Sequence, residues 1–247
     1  MDQINRSIDY SMPRQNGIFP PPPIEYKNAR ALLLVFQCAE NIKKSYLPPE
    51  LKSIENGFDN LLVLEYPETS IGPYNEAIIL LNCSYNNKPG VFVFSIYVND
   101  DVALTAGREI WGIPKKLADI SLSQIKGNNI EGKVMRKGVT ILDVSAEIME
   151  EEPGLDPKGM FENLPFYNLK LIPDVANNDK PALRQLTETV LKIGDIHKQN
   201  GAISKYIKIN PSQYDMSHEL MNKANLDLGG FYVEYDFILP NGRILEE

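Results

Sequence analysis

The stretch EAIILLNCSYNNKPGVFVFSIYV, Glu76 to Val98, consists of two aliphatic and aromatic runs separated by NNKPG. Runs rich in Ile, Val, Leu, Phe and Tyr favour strands. The asparagines, proline and glycine between them mark a turn. The same composition recurs on both sides of it: ARALLLVFQ from Ala29 and LLVLEY from Leu61, then LADISLSQI from Leu117, NLKLIPD from Asn168 and GGFYVEYDFIL from Gly229. NIEGKVMRKG and VTILDVSAEIM, from Asn129, read as a hairpin. In its second arm Leu142, Val144, Ala146 and Ile148 share one face, and Asp143, Ser145 and Glu147 the other. The stretch from Leu183 to Ile209 supplies further strands, and EEEPGLDPKG from Glu150 reads as a loop.

Helical patterns are short. AENIKKSYLPPEL closes on a Pro-Pro turn, DDVALTAGREIWG has an aspartate at its cap and is broken by Gly112 and Pro114, and MSHELMNKA is brief. Strands not separated by regular long helices argue against a doubly wound parallel sheet. The expected fold is mainly β (α+β): an antiparallel, curved, barrel-like sheet core with a few short helices. We read residues 1–247 as one domain, with residues 1–25, which include FPPPP, as an extended Pro-rich arm.

The chain has 247 residues, 43% of them hydrophobic, enough for a sizeable core. Its net charge of −8, with no basic stripe, argues against a nucleic-acid partner. Cys38 and Cys83 lie in or beside apolar runs and read as buried free thiols, which suits a reducing compartment. The first residues lack the apolar core of a signal peptide, and no apolar run approaches the ~20 residues of a membrane span. The expectation is a cytoplasmic protein with no membrane partner.

His197 and His218 stand outside any metal-ligand spacing and read as surface or structural residues, so no metal site is expected from them, and a site built only from carboxylates, which leaves little trace in one sequence, stays open. There is no phosphate-binding loop and no Gly-x-Ser-x-Gly elbow. Lys43-Lys44 falls on a short helix that would expose it. Lys115-Lys116 is different: Ile110, Trp111, Ile113 and Leu117 surround it, and Pro114 stiffens the backbone before it. Burial disfavours the ammonium form of a lysine, as does a second positive charge nearby. A free amine attacks ketones, whereas an ordinary lysine with a pKa of ~10.4 is almost wholly protonated at neutral pH.

GREIWGIPKKLA resembles the signature of the acetoacetate decarboxylase family, and GPYNEAIILL, LKLIPD and the ending LPNGRILEE are also similar to it. The resemblance covers nearly the whole chain, from about Pro22. It implies a mostly β, barrel-like core and a homo-oligomer. It implies a small keto-acid substrate and no cofactor. Lys115 would form the Schiff base with the keto group, activated as that family's lysine is. Lys116 would be its neighbour and Glu76 the pocket glutamate, so Lys115, Glu76 and Lys116 are the candidate catalytic residues. Arg108 and Glu109 would be structural. Ile113 and Trp111 are expected to line the pocket, and the hydroxyls of Tyr74 and Tyr97 are candidates to reach it, the alternative being packed aromatic rings.

The match departs from the family at two places. The arginine expected at the start of the first core strand is displaced by one: Ala29 holds the position and Arg30 follows. One residue on a strand reverses the facing of a side chain, so either a bulge recovers Arg30 or the pocket lacks it. A second family acid is replaced by Leu61, with Glu65 four residues on. Decarboxylation of a β-keto acid such as acetoacetate to a ketone and CO2 is the leading reading. A Schiff-base aldolase-dehydratase acting on an α-keto acid such as pyruvate is the alternative, and a non-catalytic small-molecule binding module is the third. If residues 114–118 are extended, Lys116 faces away from Lys115, and desolvation rather than Lys116 dominates the activation.

Overall fold

The computed structural model describes residues 9–150, 157–226 and 228–247. Fifteen strands form one sheet among them. In chain order these are β1 (Ile24–Phe36), β2 (Lys52–Ser53), β3 (Asp59–Tyr66), β4 (Glu68–Thr69), β5 (Tyr74–Tyr85), β6 (Lys88–Val98), β7 (Lys115–Leu117) and β8 (Asp119–Leu122). Then come β9 (Asn129–Arg136), β10 (Val139–Ile148), β11 (Pro165–Pro173), β12 (Pro181–Val190), β13 (Lys192–Ile209), β14 (Gly230–Leu239) and β15 (Arg243–Glu246). The helices are short: α1 (Glu40–Lys44), α2 (Asp101–Ala106), α3 (Pro157–Phe161) and α4 (Ser217–Met221). None is long and apolar enough to cross a membrane.

The mainly β expectation holds, with two corrections. The strand order β15-β12-β11-β6-β5-β3-β1-β14-β13-β10-β9-β8 is an open path, so the sheet is not a closed barrel. It is also mixed, because β11 and β7 both pair parallel to β6. The opening stretch is β5 and β6, antiparallel about Asn86-Asn87, both at positive φ (47° and 64°). That is the two-residue turn whose twist matches a hairpin.

The central strands β3 and β5 are nearly all apolar because both faces of the sheet are covered there. Leu62, Leu64, Ile78, Leu80, Val233 and Phe237 belong to one core, while Leu61, Val63, Ala77, Ile79, Leu32 and Leu34 belong to the other. Polar alternation is therefore missing from these central strands, whereas β8 and β9 alternate exposed and buried residues. Cys38 and Cys83 are buried free thiols, as expected.

Lys43 was expected to be exposed and is buried, with its Nζ 3.2 Å from Asp59 Oδ1. Asp59 also accepts from the backbone of Cys38 and Asn82, at 2.9 and 2.8 Å, so a buried carboxylate selects this lysine inward. Lys44 stays exposed and pairs with Glu40. The loop expected from Glu150 gives way to α3 at Pro157, and residues 151–156 of it lie outside the described residues. Residues 1–8 of the arm lie outside them too. Its described part carries no strand before Ile24 and docks through Phe19, which is buried and sits edge-on to Tyr10.

Candidate active site

The chain enters the site through α2. Asp100 caps it, accepting from Ala103 N at 2.7 Å. A wider π-helical turn, Gly107–Trp111, follows directly, a geometry that recurs at functional sites. It ends at Gly112, whose φ of +74° and closeness to the Lys170 backbone both demand glycine. Trp111 anchors the turn: its indole donates to Pro240 O at 2.9 Å, and its own carbonyl accepts from Thr187 Oγ1 at 2.7 Å. Arg108 donates to Lys115 O at 3.2 Å.

β7 then lies beside β6, with Lys115 level with Ile96 and Lys116 level with Tyr97. Successive residues face opposite sides. Lys115 is 5% exposed and its Nζ lies 2.8 Å from Glu76 Oε2. Its stem runs over Gly107, where a Cβ would come within 2.6 Å of Cδ and 2.8 Å of Cε. Glu76, on β5, is also buried, and its Oε1 accepts from Tyr66 OH at 2.9 Å. The amine stands 5.3 Å from the ring centroid of Tyr74, and Tyr74 OH and Tyr26 OH share a 2.9 Å hydrogen bond. Burial, then the Glu76 charge, pushes the Tyr66 and Tyr235 phenols up, and burial is likewise the main cause for Tyr26 and Tyr74. These phenols stay protonated, and Tyr66 donates to Glu76.

Around this pair is a cavity of about 80 Å³, lined mainly by aliphatic and aromatic side chains such as Leu62, Ile78, Val93, Ile96, Phe166 and Phe237. A water position needs about 10–15 Å³, so the space suits a small organic molecule. Ile113 and Tyr74 both line it.

Trp111, Tyr97 and Arg30 lie elsewhere, and Lys116, a candidate catalytic residue, faces away from the cavity as the extended run after Pro114 required. Trp111 is buried behind the wall as an anchor. Tyr97 and Lys116 face the other core. There Lys116 Nζ bonds Asp215 at 2.9 Å and Ser95 at 3.0 Å, and Tyr97 OH bonds Asp215 at 2.6 Å. Arg30 is also on that face, bound to Glu65, to Tyr232 OH at 2.9 Å and to Ser123 O at 2.8 Å.

The reason for the last correction is a bulge. β1 pairs with β14 through Tyr26 and then Ala29, skipping Lys27 and Asn28. That shift turns Ala29 to the cavity side with Tyr26 and sends Arg30 away. Glu65, opposite Arg30, follows it. Gly107, Tyr66 and Tyr26 escaped the sequence reading. Gly107 alone left a signal, a glycine in the middle of a helical pattern.

The sequence profile of the family described as "Acetoacetate decarboxylase (ADC)" matches residues 10–247. The chain belongs to the acetoacetate decarboxylase family. This places it among enzymes of the carboxy-lyase class. Acetoacetate decarboxylase 3 of Mesorhizobium japonicum is 26% identical over 242 residues, covering 95% of this chain and 94% of the relative. The fold is similar to the crystal structure of acetoacetate decarboxylase from Legionella pneumophila, with a TM-score of 0.86 at 22% identity, covering 96% of this chain and 93% of that one. It is also similar to the enduracididine biosynthesis enzyme MppR complexed with pyruvate, with a TM-score of 0.75 at 16% identity and 95% and 96% coverage.

Proposed function

We propose that this decarboxylase-family protein converts a β-keto acid such as acetoacetate into a ketone and CO2, with Lys115 as the nucleophile. The observation that carries the reading is the Lys115 amine, buried in an apolar cavity 2.8 Å from Glu76. Glu76 takes the ammonium proton, held for that task by Tyr66 on its other oxygen. The free amine adds to the ketone carbon, and loss of water gives an iminium. The bond to the carboxylate then breaks, its electron pair forms the C=C bond of an enamine while the C=N π pair moves onto nitrogen, and CO2 leaves an uncharged product. Protonation at carbon and hydrolysis release the ketone and restore the amine. The iminium carboxylate is a zwitterion whose charges cancel as CO2 departs, so a dry apolar wall favours that step. In this account Lys116, on the far face of β7, acts on Lys115 only through the strand.

A second reading has its own support. Ala29 rather than an arginine stands on the side of β1 that packs into the cavity's core, without lining the cavity itself, and Lys115 and Glu76 are the only charged residues that line it among the described residues. The missing arginine weakens the acetoacetate assignment while leaving the Schiff-base lysine in place, and the same iminium would serve an α-keto acid such as pyruvate, used for carbon-carbon bond formation or loss of water. The fold likeness to the pyruvate-bound MppR agrees with that option.

The deciding experiment offers acetoacetate and pyruvate separately to the protein and to its Lys115→Met variant. CO2 and acetone from acetoacetate, absent in the variant, support the first reading. A Lys115 adduct from pyruvate without CO2 supports the second. Binding without turnover of either acid would leave the binding module.

A further inference from the structure

The Lys115 cavity contains two polar side chains that the Schiff-base chemistry leaves unused. Asn168 and Thr189 are 0% and 3% exposed, and both line the cavity. Among the described residues, Nδ2 and Oδ1 of Asn168 and Oγ1 of Thr189 meet no hydrogen-bond partner. A buried polar group left unpaired is costly. Such groups gathered on one wall point to a ligand rather than to packing. Thr187, opposite Asn168 on the same face, does have a protein partner in Trp111 O.

The register brings the two together. Asn168 lies opposite Thr187 and Phe166 opposite Thr189 on antiparallel β11 and β12. Asn168 and Thr189 are therefore diagonal neighbours on one face, ~7–8 Å apart, within reach of one small group between them. The register also sets them apart from the amine. β11 and β7 follow one another along the same edge of β6, with Tyr167 beside Phe92 and Lys115 beside Ile96. Asn168 therefore sits about three residues before Lys115, or ~10 Å at the rise of a strand. The amine points the other way, toward Glu76, which is level with Val98.

Asparagine and threonine are neutral and offer both donors and acceptors. The charged residues lining the cavity, Lys115 and Glu76, already pair with each other. A second carboxylate at the far end would be buried without a cation, which is costly. We propose that Asn168 and Thr189 form a specificity subsite for an uncharged hydroxyl or carbonyl group at the distal end of a keto acid longer than acetoacetate. The identity of the reacting end rests on the Schiff-base reading above; the subsite itself rests on the unpaired groups.

The test compares two six-carbon β-keto acids, one plain and one with a terminal hydroxyl, on the wild-type protein and on Asn168→Leu and Thr189→Val. The expected result is a preference of about tenfold or more in kcat/KM for the hydroxylated acid, about 1.4 kcal/mol. Both variants should move that ratio toward one. Equal use of the two acids by the wild type, or a preference that survives both substitutions, would overturn the proposal. If neither acid forms a Lys115 adduct, the Schiff-base reading fails by itself. The subsite is then read from thermal stabilisation by the unreactive six-carbon acids that lack the ketone. A larger Tm shift with the terminal hydroxyl, lost in Thr189→Val, supports it, and equal shifts overturn it.

Discussion

At the residue scale, the site depends on an absent side chain. Gly107 has φ −57° and ψ −45°, ordinary right-handed helix, so its backbone does not require glycine. What requires it is the Lys115 stem, whose Cγ, Cδ and Cε would lie 2.6–3.1 Å from a Cβ at that position. Alanine is the better helix former by about 1 kcal/mol. Gly107→Ala should therefore fold with near-wild-type stability while pushing the amine off Glu76. The prediction is a drop of about tenfold or more in kcat, measured beside an unchanged circular dichroism spectrum. Wild-type kcat would show that the stem has room to spare. Lys115 itself was legible in the sequence, because a proline-stiffened apolar segment with a lysine pair is rare and its neighbours carry the family's signature. Tyr66 and Tyr26 were not, since the bond of Tyr66 to Glu76 and that of Tyr26 to Tyr74 depend on strand register that no local pattern encodes.

At the element scale, the alternation along β7 separates the two lysines. Lys115 goes to the cavity, and Lys116 goes to a polar network with Ser95, Tyr97, Asp215 and Ser217. Burial alone raises the Asp215 carboxyl, but hydrogen bonds from Ser217, Tyr97 and Lys116 outweigh it and hold it below its ordinary value. Lys116→Ala should cost about 1–2 kcal/mol, because Asp215 loses one donor while keeping the others. It should leave kcat within about tenfold of wild type. Loss of all activity would mean that Lys116 acts directly on Lys115. The extended run after Pro114 made this facing predictable from sequence. The bulge in β1 was not, because Lys27-Asn28 reads like any polar pair on an exposed strand end. That one extra residue decided the place of Arg30.

At the scale of the whole molecule, the bulge is fastened by Asp236 on β14. Its carboxylate accepts from Lys27 Nζ at 2.8 Å, Asn28 N at 2.8 Å and His197 Nε2 at 2.9 Å. Burial pushes this carboxyl up, but those bonds win and bring it down to about 2, against 3.8 for a free aspartate. Between these values the unfolded chain binds more protons than the folded one, so stability rises with pH across the window. Asp236 contributes fully above pH ~4 and progressively less as the pH falls toward ~2. Urea titrations of Asp236→Asn should show lower stability than wild type at pH 6 and a shallower fall below pH 4. Parallel curves would remove the clamp from the account. The mainly β architecture was legible because strand composition is local; the open path of the sheet was not, because closure depends on which distant edges meet. Among the described residues, β8 and β15 end that path with no strand on their outer sides. Exposed edges are commonly covered by a neighbour, and we expect light scattering to give a multiple of 27.9 kDa; a monomer mass would contradict self-association.

The most direct test of the central claim is borohydride reduction of the protein with acetoacetate, followed by peptide mass spectrometry. The account predicts a reduced adduct, with the mass of the ketone product or of the acid, on Lys115 and none on Lys116. A clean Lys115 under those conditions, or an adduct confined to Lys116, would contradict it.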